Sequence, residues 1–167
     1  MKRILILALV VLSIAGAASA SYISIYSDAS GGSCVLAPGF NPNVTIIQKF
    51  TLGTVSVRFS LTRGPNEFLA FNSPYATIGN LTSDITVQYG GCRTGSLVIG
   101  TATMNLVGDK LYIHPAQGQT IVIDTDCAFV DHKAMWGYAS VGNPYDVCNQ
   151  QLATESSTWG RVKSLYR

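Results

Sequence analysis

Asp84-Ile-Thr-Val-Gln-Tyr-Gly-Gly-Cys-Arg-Thr-Gly-Ser-Leu-Val-Ile-Gly-Thr-Ala-Thr-Met-Asn-Leu106 is the stretch whose reading decides the fold. Ile85, Val87 and Tyr89 alternate with Asp84, Thr86 and Gln88. That period of two marks a strand with one buried and one wet face. Gly90, Gly91 and Gly95 flank Cys92, and glycine supplies the positive φ that a tight turn needs. Residues 96–106 are apolar and rich in β-branched side chains, as a central strand is. The expectation is two strands joined by a cysteine-bearing turn.

The same signals recur on either side. Residues 21–26 alternate and open the β region, and residues 44–51 form a strand. After Leu52-Gly53, Val55, Val57, Phe59 and Leu61 share one face, against Thr54, Ser56, Arg58 and Ser60. Residues 67–71 and 110–114 are short strands, and residues 120–125 are the last expected one. Ser73-Pro74 and Gly79-Asn80 read as loops, and Gly108-Asp109 as a hairpin turn. Short strands with a turn about every ten residues, and no long helical period among them, predict an all-β antiparallel β-sandwich. A closed barrel is the alternative.

Residues 1–20 carry Lys2 and Arg3, an uncharged apolar run over 4–17, and Ala18-Ser19-Ala20. That is the pattern of a secretory signal peptide, with the mature chain starting at Ser21. The run is shorter than the roughly 20 residues of a membrane span. The expected division is signal peptide 1–20, β-sandwich 21–152 and amphipathic tail 153–167. The expected location is secreted, extracellular, periplasmic or at the cell surface, with membrane contact only through the cleaved leader. Without the leader the basic count falls from 11 to 9 (11 − 2), equal to the 9 acidic side chains. A neutral surface gives no footprint for nucleic acid.

Four cysteines, Cys34, Cys92, Cys127 and Cys148, imply disulfides in an oxidising compartment. Three connectivities are open, and Cys34–Cys92 with Cys127–Cys148 is preferred. No Cys-x-x-Cys occurs, so a zinc ribbon is not supported. The sequons at Asn43 and Asn80 are read as chance in a chain rich in Asn and Thr.

In the tail, Ser156-Ser157-Thr158 offers helix N-caps. Trp159, Val162, Leu165 and Tyr166 then fall on one face, with Arg161, Lys163 and Arg167 toward the C-terminus. A short amphipathic C-terminal helix is expected. It is too short to stand alone, so it docks in cis or on a partner.

Tyr26-Ser27-Asp28 with its following glycines and Cys34, the Tyr89-Gly-Gly-Cys-Arg-Thr-Gly95 run, Asp126-Cys127 and the ending Thr158-Trp-Gly-Arg-Val-Lys-Ser-Leu-Tyr-Arg167 resemble a group of small secreted bacterial proteins. The tail is the most specific part of the likeness. The resemblance implies a cohesin- or immunoglobulin-like sandwich and secretion, and carries no chemistry with it.

For catalysis, His114 precedes Pro115 at a strand end and His132 lies in the polar loop Asp131-His132-Lys133. Gly137 to Gly142 lacks the Gly-x-Ser-x-Gly spacing, and Glu67 and Glu155 are the only glutamates after the leader. The expectation is no enzyme, no metal and no cofactor. Asp124, Asp126, Asp131 and Asp146 could be considered for calcium, which takes six to eight oxygens; they are read as solvated carboxylates instead. Between Cys127 and Cys148, Trp136, Tyr138, Asn143 and Tyr145 combine aromatic faces with an amide, as a sugar site requires. The plainer reading packs these aromatics under a long loop. The expected function is a structural or adhesive interaction module with an extracellular protein or glycan as partner. A carbohydrate-binding module using the 128–147 loop is the alternative.

Overall fold

A computed structural model describes residues 21–62 and 64–145. The expected tail helix, with Trp159, Val162, Leu165 and Tyr166, lies outside the described residues, as do the leader, Asp146 and Cys148.

The Asp84–Leu106 stretch is one continuous strand, not two. It takes the label β6, and it pairs antiparallel with an equally long strand, β3 (Gly39–Thr62). The pairing runs from Gly39 opposite Leu106 to Phe59 opposite Ile85. Gly90 (φ 69°) and Gly95 (φ 86°) are left-handed as their setting suggests, yet the chain does not reverse there. Between Thr54–Arg93 and Ser56–Gln88 the register slips, so the extra β6 residues bulge outward. A glycine cluster can serve a turn or a bulge equally well. The partner's length chooses: β3 itself continues through Leu52-Gly53, which sequence reading takes as a break. Both long strands are therefore bent and shared by two parts of the sheet.

The other strands are β1 (Tyr22–Tyr26), β2 (Val35–Leu36), β4 (Glu67–Asn72), β5 (Ala76–Asn80), β7 (Lys110–His114), β8 (Val122–Asp126), β9 (Asp131–Trp136) and β10 (Tyr138–Val141). Hydrogen-bonded neighbours follow the order β1-β9-β8-β3-β7-β10-β2, and β6 pairs with β3, β4 and β5. β1 also pairs with residues 45–49 of β3, while β8 pairs with residues 54–58. The path β1-β9-β8-β3 thus closes on itself, because a bend in β3 lets one strand serve two sides.

The described residues are all strand, turn and irregular chain, with no helix. The sheet is mixed rather than purely antiparallel, since β1–β9 and β2–β10 are parallel. Parallel neighbours need long crossovers, and these pairs come from distant parts of the chain. The architecture is all-β and compatible with a β-sandwich.

Three strands lie where loops are expected. β5 is exposed along its whole length, so no side-chain alternation marks it. β9 covers Asp131-His132-Lys133 and buries only Ala134 fully. β10 follows at once, so residues 128–145 of the expected 128–147 loop are two strands and their turns rather than one long loop.

The core follows the alternation. Ile85, Val87 and Tyr89 of β6 and Val57, Phe59 and Leu61 of β3 are buried, and β1 is buried on both faces. Each such large side chain contributes about 1.5–3 kcal/mol on burial. Two polar contacts lie within this interior. Tyr89 Oη donates to Gln48 Oε1 at 2.5 Å, and Thr54 Oγ1 donates to Asp124 Oδ1 at 2.6 Å. Tyr75 packs edge-on against the Tyr89 ring, with centroids 4.8 Å apart. Burial pushes the Tyr89 phenol well above its usual range, with the Asp124 charge adding to it.

A disulfide-stapled apolar end

The bulged middle of β6 is tied to the end of β8 by the Cys92–Cys127 disulfide, with Cα atoms 5.3 Å apart. This overturns both preferred pairings, Cys34–Cys92 and Cys127–Cys148. Spacing along the chain favours neighbouring cysteines, but β3 lies between β6 and β8 and brings Cys92 and Cys127 to its two sides. Thr54 is opposite Arg93 on one side and Asp126 on the other. Gly53 passes so close that a Cβ there would sit 2.9 Å from Cys127 Sγ. Cys34 is buried and disulfide-bonded as well.

Around this bridge the chain exposes apolar side chains: Phe50 (56 %), Leu52 (74 %), Phe129 (79 %) and Val130 (51 %). Phe50 and Phe129 both have φ 62°, and they are the only described non-glycine residues with positive φ. Left-handed backbone costs a bulky L-residue about 1–2 kcal/mol. Such strain persists only where the surroundings impose it. Here the β3 bend and the β8–β9 turn impose it, and both rings end up facing water.

Asp126 organises that turn. Its Oδ1 accepts from the N–H of Ala128 (2.8 Å) and of Val130 (2.9 Å), and its backbone carbonyl accepts from Phe129 N–H (2.9 Å). His132 Nε2 lies 2.8 Å from Oδ2. The Val130 N–H, followed by the His132 ring, holds the Asp126 carboxyl below the usual carboxylate range.

The expected sugar-site residues are spread over several elements. Trp136, on β9 beside β1, packs half-buried against the core, with Lys133 Nζ 5.9 Å from its ring centroid. Tyr138, on β10, faces Tyr112 of β7 at 5.4 Å between centroids, with Lys110 Nζ 4.7 Å from its ring. Asn143 and Tyr145 lie in the following turn, where Asn143 Oδ1 accepts the Tyr145 N–H at 3.1 Å. Tyr145 is 91 % exposed.

The carboxylates considered for calcium also separate. Asp124 is not solvated: it is buried with Val122 on the inner face of β8 and bonded to Thr54. Period two places Asp124 and Asp126 on one face, but the interior covers only the first. Asp126 caps its turn, and Asp131 accepts from Thr125 Oγ1 at 2.8 Å. Among the described residues no group of three His, Cys, Asp or Glu is placed to hold a metal ion. His132 is engaged with Asp126, and His114 lies beside the Tyr112 ring.

Comparison with protein-family models, with curated proteins and with solved structures finds no match to the chain. No described helix is long and apolar enough to cross a membrane. Sequence reading passes over Phe50, Leu52, Phe129 and Val130. The available signal is the placing of large apolar residues beside Gly53 and Cys127, where turn chemistry calls for polar ones.

Proposed function

We propose that the chain is a secreted, non-enzymatic β-sandwich module of immunoglobulin- or cohesin-like type, acting as a structural or adhesive component outside the cell. Residues 1–20 serve as its cleaved leader, and the 153–167 tail, with a short helix bearing Trp159, Val162, Leu165 and Tyr166, docks it. The observation that carries this reading is the apolar end at Cys92–Cys127. Two phenylalanines are held outward in an unfavourable backbone conformation on a covalently braced frame. Exposed apolar clusters of this kind mark interaction sites. The test mixes purified, oxidised protein with the insoluble surface fraction of the producing cells. Retention is expected, reduced about tenfold or more by Leu52→Ser combined with Phe129→Asn. Wild-type protein that stays in solution would overturn the reading.

A second reading, carbohydrate binding, is favoured by the Tyr112–Tyr138 pair with Lys110 across it, and by Tyr145 in the turn nearby in sequence. Ring faces of this kind stack on sugar C–H groups. Glycan-array binding lost in Tyr138→Ala and Tyr145→Ala, and weakened in Trp136→Ala and Asn143→Ala, would support it. An empty array with folded protein would remove it.

A further inference from the structure

The outer side of β3 and β6, at the end away from the Cys92–Cys127 bridge, carries a further inference: we propose that the C-terminal helix seats in cis on the face formed by Phe40 and Val107. This rests on the tail helix of the reading above and gives that helix its surface; it does not depend on the adhesive role.

Register defines the face. Phe40 of β3 and Glu67 of β4 both lie directly opposite Asn105 of β6, one from each side. Residues directly opposite on antiparallel strands point to the same side of the sheet, so the three form one row. Leu106 is buried, and Val107, the next residue, returns to the side of Asn105. Phe40 is 69 % exposed and Val107 66 %. Glu67 and Asp109 are also exposed, and neither is in an ion pair among the described residues. The face is therefore an apolar pair with an acidic rim.

Three observations make the C-terminal segment its occupant. First, the anchor of that segment is close. Cys34 is disulfide-bonded, and with Cys92 joined to Cys127 the count leaves Cys148 for it. The Cys34 carbonyl accepts the Ser140 N–H at 2.9 Å, and the Asp109 carbonyl accepts the Val141 N–H at 2.8 Å. Val35 and Lys110 flank Ser140 from its two sides. The anchor and the Val107–Asp109 turn are thus two strand spacings, roughly 10 Å, apart. Second, residues 149–158 extend to about 33 Å, so Trp159, Val162, Leu165 and Tyr166 reach Phe40 with slack. A short tether holds them there at an effective concentration on the order of millimolar, which a partner in solution must exceed. Third, the charges match. Residues 156–167 carry Arg161, Lys163 and Arg167 and no acidic side chain, opposite the rim of Glu67 and Asp109. A helix this short forms only when packed, so docking and helix formation are one step.

The test is amide hydrogen exchange of residues 161–166 in the full, oxidised protein, compared with a free peptide of residues 149–167. Exchange at least about tenfold slower in the protein is expected. Phe40→Ser with Val107→Ser is expected to return it to the peptide rate. Both sites are exposed, and thermal melts check that this variant folds. Glu67→Arg is expected to lower the protection about twofold to fivefold at low salt. Leu52→Ser, on the far bend of β3, is expected to leave it unchanged. A tail that exchanges at the peptide rate in wild type overturns the proposal. Protection untouched by Phe40→Ser with Val107→Ser places the helix on another surface and overturns it too. Protection that grows with protein concentration, alongside a dimer in sedimentation, makes a second copy the occupant and refutes docking in cis. Protection that appears only with the surface fraction of the producing cells does the same while leaving the adhesive reading in place. A protected tail on a protein which that fraction does not retain supports the docking and refutes the adhesive reading alone.

Discussion

Phe129 carries a large ring in a backbone region suited to glycine and asparagine, and it buries little of that ring in return. Phe129→Asn should therefore stabilise the folded chain by about 1 kcal/mol, read from the denaturant midpoint at unchanged slope. Two carboxylates at the same scale govern the response to acid. The bidentate hydrogen bonds of the Arg58 guanidinium, at 2.8 and 2.5 Å, hold Asp84 below the ordinary carboxylate range. Asp126 is lowered by the Val130 N–H and by His132. A carboxyl depressed in the folded state adds stability above its unfolded pKa of about 4 and loses it as pH falls through the folded value. Stability should thus be level near neutrality and decline below about pH 4. Asp84→Asn should remove part of that slope and cost at most about 1 kcal/mol near neutrality, since the pair is partly exposed. Denaturant titrations across that pH range check both, and a decline unchanged in Asp84→Asn would show that the ion pair does not contribute.

At the scale of elements, β3 and β6 are each long enough to belong to two parts of the sheet, and the Cys92–Cys127 bridge locks the bulged middle of β6 to the end of β8. A bridge spanning 35 residues contributes roughly 3–4 kcal/mol by restricting the unfolded chain. Replacing Cys92 and Cys127 together by alanine should lower stability by about that much and free the β8–β9 turn. Hydrogen exchange should then speed up at Ala128, Phe129 and Val130 before it does in the core of β1. Equal protection of that turn in the variant and the parent would show that Asp126 holds it without the bridge. Cys34 is also bonded, and with two of the four cysteines already joined, counting leaves Cys148 for it. Non-reducing peptide mapping should recover Cys92 with Cys127 and Cys34 with Cys148; any other pair refutes the count.

For the molecule as a whole, the helix proposed for the tail would place Trp159, Val162, Leu165 and Tyr166 on one face. A helix of about two turns is unstable alone, so under that proposal the tail would need a surface in cis or on a partner. Truncation after Thr154 separates these outcomes. Loss of melting temperature with export and surface retention intact identifies a cap. Shedding of an equally stable protein into the medium identifies an attachment element. If both the apolar end and the tail attach, removing either should weaken retention and removing both should abolish it, as linked contacts do.

Read alone, the sequence determined that the described residues are all-β, that Val57, Phe59, Leu61, Ile85, Val87 and Tyr89 face the interior (Val55, expected with them, is only half-buried, and Thr54 is buried instead), and that Cys34, Cys92 and Cys127 form disulfides. Those features follow from local rules: period-two burial, β-branched composition and an even cysteine count. Tertiary structure alone decided whether Gly90, Gly91 and Gly95 turn the chain or bulge it, because that depends on how far β3 runs alongside. It also decided the pairing of Cys92 with Cys127, since two strands flanking a third meet regardless of their distance in sequence. Asp124 illustrates the same limit. Its face is readable from alternation, but its burial depends on what the rest of the sheet lays over that face. The apolar end stayed hidden for the converse reason: Phe50, Leu52, Phe129 and Val130 look like core residues, and only the fold shows that the described strands leave them exposed.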